Sequence, residues 1–177
     1  MSPEDLQNFI YALFHSATYR VRFAAELEVD FPRVLIPRRL ALFEKLSEFG
    51  SRLASLHLRR ERNCTEFRTN YQGDECPVVG AGYPKYQADR VYLNADTWFG
   101  PNPSSAWEYR MGTHQVLRKW LKDRRGQRLS SQQLSEYSAC VESVGMTIDL
   151  VKQIDTAITS GGGWPDAFCN ESDLQQN

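Results

Sequence analysis

Residues 112–130 read GTHQVLRKWLKDRRGQRLS, and they carry the clearest structural signals in the chain. At the 100° per residue of an α-helix, one face collects four apolar side chains, Val116, Leu117, Trp120 and Leu121. Gly126 stands where helices commonly end in a left-handed residue, and Ser130 with Gln133 has the pattern of a capping box. The stretch therefore predicts a helix over about 113–125, a tight corner, and a new helix directly after Ser130.

The same stretch is strongly basic, with six basic residues and one acid between positions 118 and 128. Cations near the end of a helix suit its dipole, so one interpretation is a docked helix with a solvated charged face. The alternative is a surface that contacts phosphate groups. The candidate residues for that contact are Lys119, Lys122, Arg125 and Arg128.

The composition indicates an ordinary globular protein, because 41% of the 177 residues are hydrophobic and 24% are charged. No apolar run is long enough to cross a membrane, and the N-terminus lacks the pattern of a signal peptide. The four cysteines, at positions 64, 76, 140 and 169, show no C-x-x-C pair and no zinc-ligand spacing. We therefore expect no metal, reduced thiols and a cytoplasmic location.

The net charge of −1 hides an uneven distribution. After Leu129 there is one basic residue, Lys152, and there are seven acids, whereas residues 1–129 hold 20 basic and 15 acidic residues. The acidic end could face water or another subunit, and the basic part could face DNA. This asymmetry permits nucleic-acid binding without requiring it.

Three more helices are predicted from caps and apolar spacing. Ser2 with Pro3 starts a helical region over about 3–28, with a break near Ser16. Apolar residues spaced by three and four indicate helices over about 38–60 and 131–159, and we expect these two to pack antiparallel. Arg59 and Arg62 close the 38–60 helix, where the dipole explains them and DNA contact is the alternative.

Glycine and proline punctuate residues 63–103, which predicts a small antiparallel insertion with strands near 78–79, 83–86 and 90–93. Basic and aromatic side chains mix on this ribbon at Lys85, Tyr86, Arg90 and Tyr92, as they do on many exposed strands. The first three are candidates for contact with a DNA groove. Trp98-Phe99 is expected to anchor the insertion in the core. The predicted fold is α+β and mostly α-helical: a helical bundle with this insertion in a single domain over 1–160, followed by a flexible tail, 161–177.

No catalytic machinery is apparent in the sequence. It contains no Walker A loop, no glycine-rich methyl-donor loop, no paired acids with a lysine as in nucleases, and no triad spacing. His15 follows an aromatic residue at a helix end, where a packing or capping role is favoured over a catalytic one. The sequence therefore predicts no catalytic residue and no cofactor.

Segments along most of the chain resemble the C-terminal target-recognition region of type ISP restriction–modification enzymes, large bacterial proteins that join nuclease, ATPase, adenine-N6 methyltransferase and DNA-specificity parts. The most specific segment is the string W-L-K-D-R-x-G-x-x-L-S, from Trp120 to Ser130. The others are FIYALFHSATYRVRFAAELEVDFPRV (9–34), LFEKLSEFGSRLASLHL (42–58), RVYLNADTWF (90–99) and GMTIDLVKQID (145–155).

The resemblance implies a non-catalytic module that binds double-stranded DNA beside the methyltransferase and nuclease domains or subunits of a restriction–modification system. The motif positions carried over are Trp120, Lys122, Asp123 and Arg124, for which holding the helical corner together is favoured over base readout. Lys122 is also a candidate DNA contact as part of the basic stretch. The methyltransferase and motor parts lie outside this sequence, so a fragment and a free-standing protein are both open. The alternative function is a protein-interaction scaffold, or a decoy that engages a restriction or defence complex.

Overall fold

The computed structural model describes residues 2–58 and 69–169, which divide into two compact units, 2–58 with 147–169 and 69–146. The helices are α1 (Pro3–His15), α2 (Ala17–Arg22), α3 (Ala24–Val29), α4 (Leu40–His57), α5 (Ser104–Glu108), α6 (Val116–Lys122) and α7 (Ser131–Ser160). The strands are β1 (Asn70–Gln72), β2 (Lys85–Gln87), β3 (Arg90–Tyr92), β4 (Trp98–Gly100), β5 (Arg110–Met111) and β6 (His114–Gln115). This confirms the α+β, mostly helical class. The single domain predicted over 1–160 stays a prediction, since two compact units can belong to one domain or to two.

The first unit is built around the packing of α1 against α4. A capping box starts α1, in which the Asp5 amide donates to Ser2 Oγ (3.1 Å) and the Ser2 amide donates to the Asp5 carboxylate (2.6 Å). Phe9 and Phe43 bring their ring centroids to 5.0 Å across the two helices. Where the helices come closest, a Cβ atom on Gly50 would overlap the Asn8 carbonyl, so only glycine fits.

The helical region predicted over 3–28 is three short helices. Ser16 ends α1 and starts α2, because its hydroxyl oxygen accepts a hydrogen bond from the Tyr19 amide (3.0 Å) and donates one to Asp155 (2.5 Å). Phe23 then separates α2 from α3 with a backbone that departs from helical geometry (φ −105°, ψ 21°). The break near Ser16 was predicted from the sequence, and the one at Phe23 was missed.

The antiparallel packing predicted for α4 and the last helix is confirmed in the first unit. At the end of α4, His57 Nε2 lies 3.0 Å from Thr147 Oγ1, and at its start Leu42 adjoins Gly161. Helix α4 is shorter than predicted, since it begins at Leu40 and ends at His57. Arg59 and Arg62 lie outside the described residues.

His15 has the packing role favoured from the sequence. Its Nδ1 donates to the Tyr11 carbonyl (2.7 Å), and its ring lies 5.4 Å from the ring of His57, centroid to centroid. Burial lowers the pKa of both histidines, and each also lies beside a second group that favours its neutral form, Arg20 for His15 and His15 for His57. The pair is therefore a neutral packing element.

The flexible tail predicted from position 161 is not observed for residues 161–169. Phe168 is buried and stacks on Trp164 (4.4 Å between centroids), and Trp164 Nε1 donates to Thr18 Oγ1 (2.8 Å). The backbone also pairs with the connector after α3, where the Cys169 amide donates to the Ile36 carbonyl (2.8 Å). Apolar burial therefore fixes this segment, while positions 170–177 lie outside the described residues.

The second unit contains an antiparallel sheet with strand order β1-β4-β3-β2. Its inner side carries Val91 and Phe99, both fully buried. Of the predicted strands, 83–86 and 90–93 correspond to β2 and β3, whereas Val78 and Val79 form only isolated bridges. Strands β1 and β4 were missed, as was the ribbon of β5 and β6.

The helix predicted over 113–125 is shorter, because its first residues belong to a β-ribbon. Gly112 adopts φ +59° in the turn between β5 and β6, so α6 begins only at Val116. After Lys122 the chain runs beside the 77–80 loop, where the left-handed Gly126 (φ +74°) donates its amide to the Val79 carbonyl (2.8 Å). The capping box of Ser130 and Gln133 is confirmed at the start of α7.

None of the described helices combines the length and apolar character needed to cross a bilayer.

We predict that Gly50→Ala destabilises the protein by about 1–3 kcal/mol or more, because the added methyl group forces α1 and α4 apart. Urea denaturation followed by circular dichroism measures this change. Ser51→Ala is the matched control, since position 51 is the next residue of the same helix and is exposed. Equal stability of the two variants would contradict the close approach.

Candidate nucleic-acid interface

Helix α6 is anchored to the second unit by an aromatic stack. The ring of Tyr137, from α7, is fully buried and lies 4.6 Å from Phe99 of the sheet and 5.3 Å from Trp120 of α6, measured between centroids. Leu117 and Leu121 of α6 are fully buried as well. The apolar face predicted for this helix therefore fixes its orientation, and its charged residues are left on the outer side.

Two side chains of the W-L-K-D-R motif, those of Asp123 and Arg124, contact residues four positions earlier, in α6. The Arg124 guanidinium lies 3.7 Å from the centroid of the Trp120 ring, and its Nη1 donates to the Trp120 carbonyl (2.9 Å). Asp123 forms an ion pair with Lys119 (2.7 Å). These contacts favour the structural role predicted for Trp120, Asp123 and Arg124.

A basic cleft of about 380 Å³ lies between the β5–β6 ribbon and α6. Asp123 is the one acid in a lining that otherwise consists of Arg110, Thr113, His114, Gln115, Arg118, Lys119 and Lys122. Lys119 is paired with Asp123, and Arg118 donates to the Gln115 side chain (3.2 Å). Within the described ranges no hydrogen bond or ion pair engages the Lys122 ammonium, which makes it the strongest candidate for a phosphate contact.

Arg125 and Arg128 belong to the segment that runs beside the 77–83 loop. Both form backbone bridges, Arg125 with Val79 and Arg128 with Val78, and Arg125 Nε donates to the Tyr83 carbonyl. Both side chains are exposed. Arg125 thus has a structural contact in addition to its predicted role in DNA binding, so substituting it would disturb the loop.

The sheet separates the three candidates that the sequence placed on one ribbon. The ring of Tyr86 stacks on Trp107 (5.6 Å, 11° between planes), and its hydroxyl donates to Asp89 (2.8 Å). Burial, reinforced by the hydrogen bond and charge of Asp89, raises the pKa of Tyr86 to about 12. These contacts indicate a structural role for Tyr86, whereas Lys85 and Arg90 are exposed on the opposite face.

That opposite face, which we call the open face, has two rows of four positions in register across the sheet. The first row is Gln72, Trp98, Tyr92 and Lys85, and the second is Asn70, Gly100, Arg90 and Gln87. None of these eight positions carries a carboxylate. The face thus combines amides, cations and aromatic rings, the side chains that proteins use to read base edges and to stack on bases.

Four residues of the open face were missed as candidates: Asn70, Gln72, Gln87 and Trp98. Alternation along β2 puts Gln87 on the face opposite to Tyr86, so it could have identified Gln87 as a further residue of the open face. The pairing of β1 with β4, and of β4 with β3, leaves no comparable signal in the sequence, because β1 and β4 are only three residues long. Trp98 was expected in the core with Phe99, but neighbouring strand residues face opposite sides.

Residues 1–152 match the family described as the type ISP C-terminal specificity domain. A search among curated proteins found no match.

Three solved structures share the fold. A nuclease-deletion mutant of the type ISP restriction-modification enzyme LlaGI, in complex with a DNA substrate mimic, is 20% identical with a TM-score of 0.67 over 86% of this chain. The ATP-dependent type ISP enzyme LlaBIII bound to DNA is 20% identical (0.67 over 87%), and a cryoEM DrdV–DNA complex is 18% identical (0.66 over 87%). The chain spans only 14%, 11% and 18% of their respective lengths.

We predict that Arg124→Ala lowers the free energy of unfolding by about 1–2 kcal/mol, because it removes a stacked cation and a hydrogen bond to a backbone carbonyl. Urea denaturation measures the loss. The matched control is Arg118→Ala on α6, where among the described residues the side chain bonds to Gln115 alone, and it should change stability by no more than about 0.5 kcal/mol. A smaller loss for Arg124→Ala than for the control would exclude the structural role.

Proposed function

This chain belongs to the type ISP C-terminal specificity domain family, and on that premise we propose that it recognises a DNA target sequence for a restriction–modification system. Double-stranded DNA is its proposed ligand. The single observation that carries this proposal is the second unit's surface, where the open face and the basic cleft both expose cations with few acids around them. The DNA in the three related complexes agrees with this choice of ligand.

The two surfaces suit different parts of recognition. Lysine and arginine side chains along the cleft would neutralise phosphates, which gives affinity to any sequence and releases counterions. Amide and guanidinium groups on the open face would contact base edges, which is where sequence information lies. The overall charge of −1 does not oppose this division, because binding depends on the local field at the surface.

We further propose that the chain performs no chemical step itself. Adenine-N6 methyl transfer and cleavage would be carried out by other domains or subunits, as the length of the related enzymes suggests, since this fold is a small fraction of each. We place the whole assembly in the bacterial cytoplasm. An assay of the isolated chain for methylation or cleavage of DNA that gave turnover would overturn this assignment.

The first unit has a feature that suits contact with such domains. Four apolar side chains between positions 21 and 40 are 65–88% exposed: Val21, Val29, Phe31 and Leu40. They fall within one segment of the sequence, and exposed apolar surface commonly marks a protein–protein contact. We therefore propose that this segment, and not the DNA surface, joins the chain to the methyltransferase part.

We predict that the double variant Val29→Ser, Phe31→Ser keeps its stability and DNA affinity but loses co-purification with an adenine-N6 methyltransferase of type ISP expressed in the same cell. The reason is that both side chains are more than four-fifths exposed and make little contribution to the core. Co-purification of the wild type without any DNA affinity would favour the scaffold or decoy function. Equal capture of wild type and variant would remove this segment from the contact.

We predict that the wild-type chain binds a random-sequence duplex with an affinity that falls steeply with salt. Lys122→Glu should weaken binding to all duplexes and lower the slope of log affinity against log salt concentration by about 1, the value for one phosphate contact. Fluorescence anisotropy at several salt concentrations measures both quantities.

Lys152→Glu is the matched control for this experiment. Lys152 is also an exposed helical lysine, and its substitution changes the net charge by the same amount, but it belongs to the first unit and does not line the cleft. If both variants weaken binding equally, net charge and not the cleft accounts for the affinity. If the wild type binds no duplex at low salt, the proposed function is wrong.

A further inference from the structure

Arg90 and Trp98 form a stacked pair on the open face. The guanidinium carbon of Arg90 lies 4.0 Å from the centroid of the Trp98 ring, well within the range of a cation–π contact. The two residues come from neighbouring strands, and Tyr92 and Trp98 are direct partners in the register. The stacked indole ring of Trp98 therefore fixes the plane of the Arg90 guanidinium group.

A glycine provides the space for this stacking. A Cβ atom at Gly100 would lie 3.1 Å from Arg90 Cγ and 3.1 Å from Trp98 Cζ3, closer than side-chain atoms normally approach. The backbone of Gly100 does not require glycine, since its φ lies outside the left-handed region. The absence of a side chain at Gly100 thus leaves room for Arg90 to stack on Trp98.

The hydrogen-bond donors of Arg90 are left unused. Among residues 2–58 and 69–169, no hydrogen bond or ion pair involves its guanidinium, and the residue is exposed. Arg124 provides the contrast, because it stacks on Trp120 at a similar distance but donates to a backbone carbonyl. Arg124 thus satisfies a backbone carbonyl of α6, whereas Arg90 presents its donors to the exterior.

The surroundings of Arg90 favour an anionic, hydrogen-bonding ligand. Gln87 is its direct partner across the β2–β3 pair, and Lys85 lies in the next row of the same face. The nearest acid in sequence is Asp89, whose carboxylate accepts a hydrogen bond from Tyr86 on the inner side of the sheet. No carboxylate of the open face competes for the guanidinium.

We propose that Arg90 reads a guanine in the major groove of the target duplex, with Trp98 as the positioning residue that fixes its plane. This inference rests on the proposed function and adds the base and the reading residue. Strands of a β-sheet can place side chains in the major groove, where arginine donates two parallel hydrogen bonds to guanine O6 and N7. An arginine already held flat loses less rotational freedom when it makes them.

The test begins with duplexes selected by the wild-type chain from a random-sequence pool. Affinities for the selected site and for the unselected pool are then measured for the wild type, Arg90→Lys and Gly100→Ala. Replacing guanines of the site one at a time by 7-deazaguanine, which lacks the N7 acceptor, identifies the guanine that is read. Thermal unfolding confirms that each variant is folded.

We expect 7-deazaguanine at one position to weaken wild-type binding by about 2- to 12-fold, part of the roughly 5- to 150-fold contribution of a bidentate contact, because it removes one of the two acceptors. Arg90→Lys should lose at least this factor on the natural site, lose most of the sensitivity to 7-deazaguanine there, and keep its affinity for the unselected pool within about 2-fold. Gly100→Ala should lose part of the same discrimination, because its methyl group displaces Arg90.

Each other outcome gives a separate answer. If Arg90→Lys keeps the preference for that guanine, the inference is wrong while the proposed function stands. If Arg90→Lys weakens binding to the selected site and to the pool equally, Arg90 contacts phosphate and the inference is wrong as well. If the wild type selects no sequence, target recognition by this chain and the reading role of Arg90 are both wrong.

Discussion

The second unit depends on the burial of one ring, that of Tyr137. It contacts Phe99 from the sheet on one side and Trp120 from α6 on the other, with no exposure to solvent. Strands of three residues and a helix of seven are too short to be stable alone. The aromatic stack supplies the apolar burial that they need, and it fixes the helix and the sheet against a common support. Precise presentation of charged side chains on both elements follows from this constraint.

The sequence predicted the parts of the fold that depend on local chemistry. Ser2 and Ser130 were identified as helix starts, and Gly126 as a left-handed residue, because caps and positive φ angles have short-range signatures. The buried apolar face of α4 was equally predictable, since an amphipathic helix repeats its pattern over many residues. Helix α6 was overextended because His114 and Gln115 carry no local signal that excludes a helix, although they pair with β5 as a ribbon.

The candidate site was only partly predictable, since it depends on pairing between distant residues. Lys85 and Tyr86 are adjacent in sequence and look equally suited to DNA, yet the pleat puts one on the open face and the other against Trp107. Trp98 was misassigned to the core for the same reason. Asn70 and Gln72 reach the open face only because β1 pairs with β4. The three residues of β1 are too few to indicate from the sequence which strand it pairs with. The basic character of residues 118–128, in contrast, is visible in the sequence because six cations fall within one short stretch.

The order of the two units along the chain has a consequence for synthesis. Residues 69–146 are contiguous, so the second unit can assemble as soon as they have left the ribosome. The first unit needs both ends: Ser16 and Thr18 bond to Asp155, and Trp164 packs near Tyr19. Contacts that span about 140 residues form late, because the loop between them must close first. Helices α1 to α4 thus emerge first and await their last partners, and the apolar surface that α7 covers is open to chaperones in that interval.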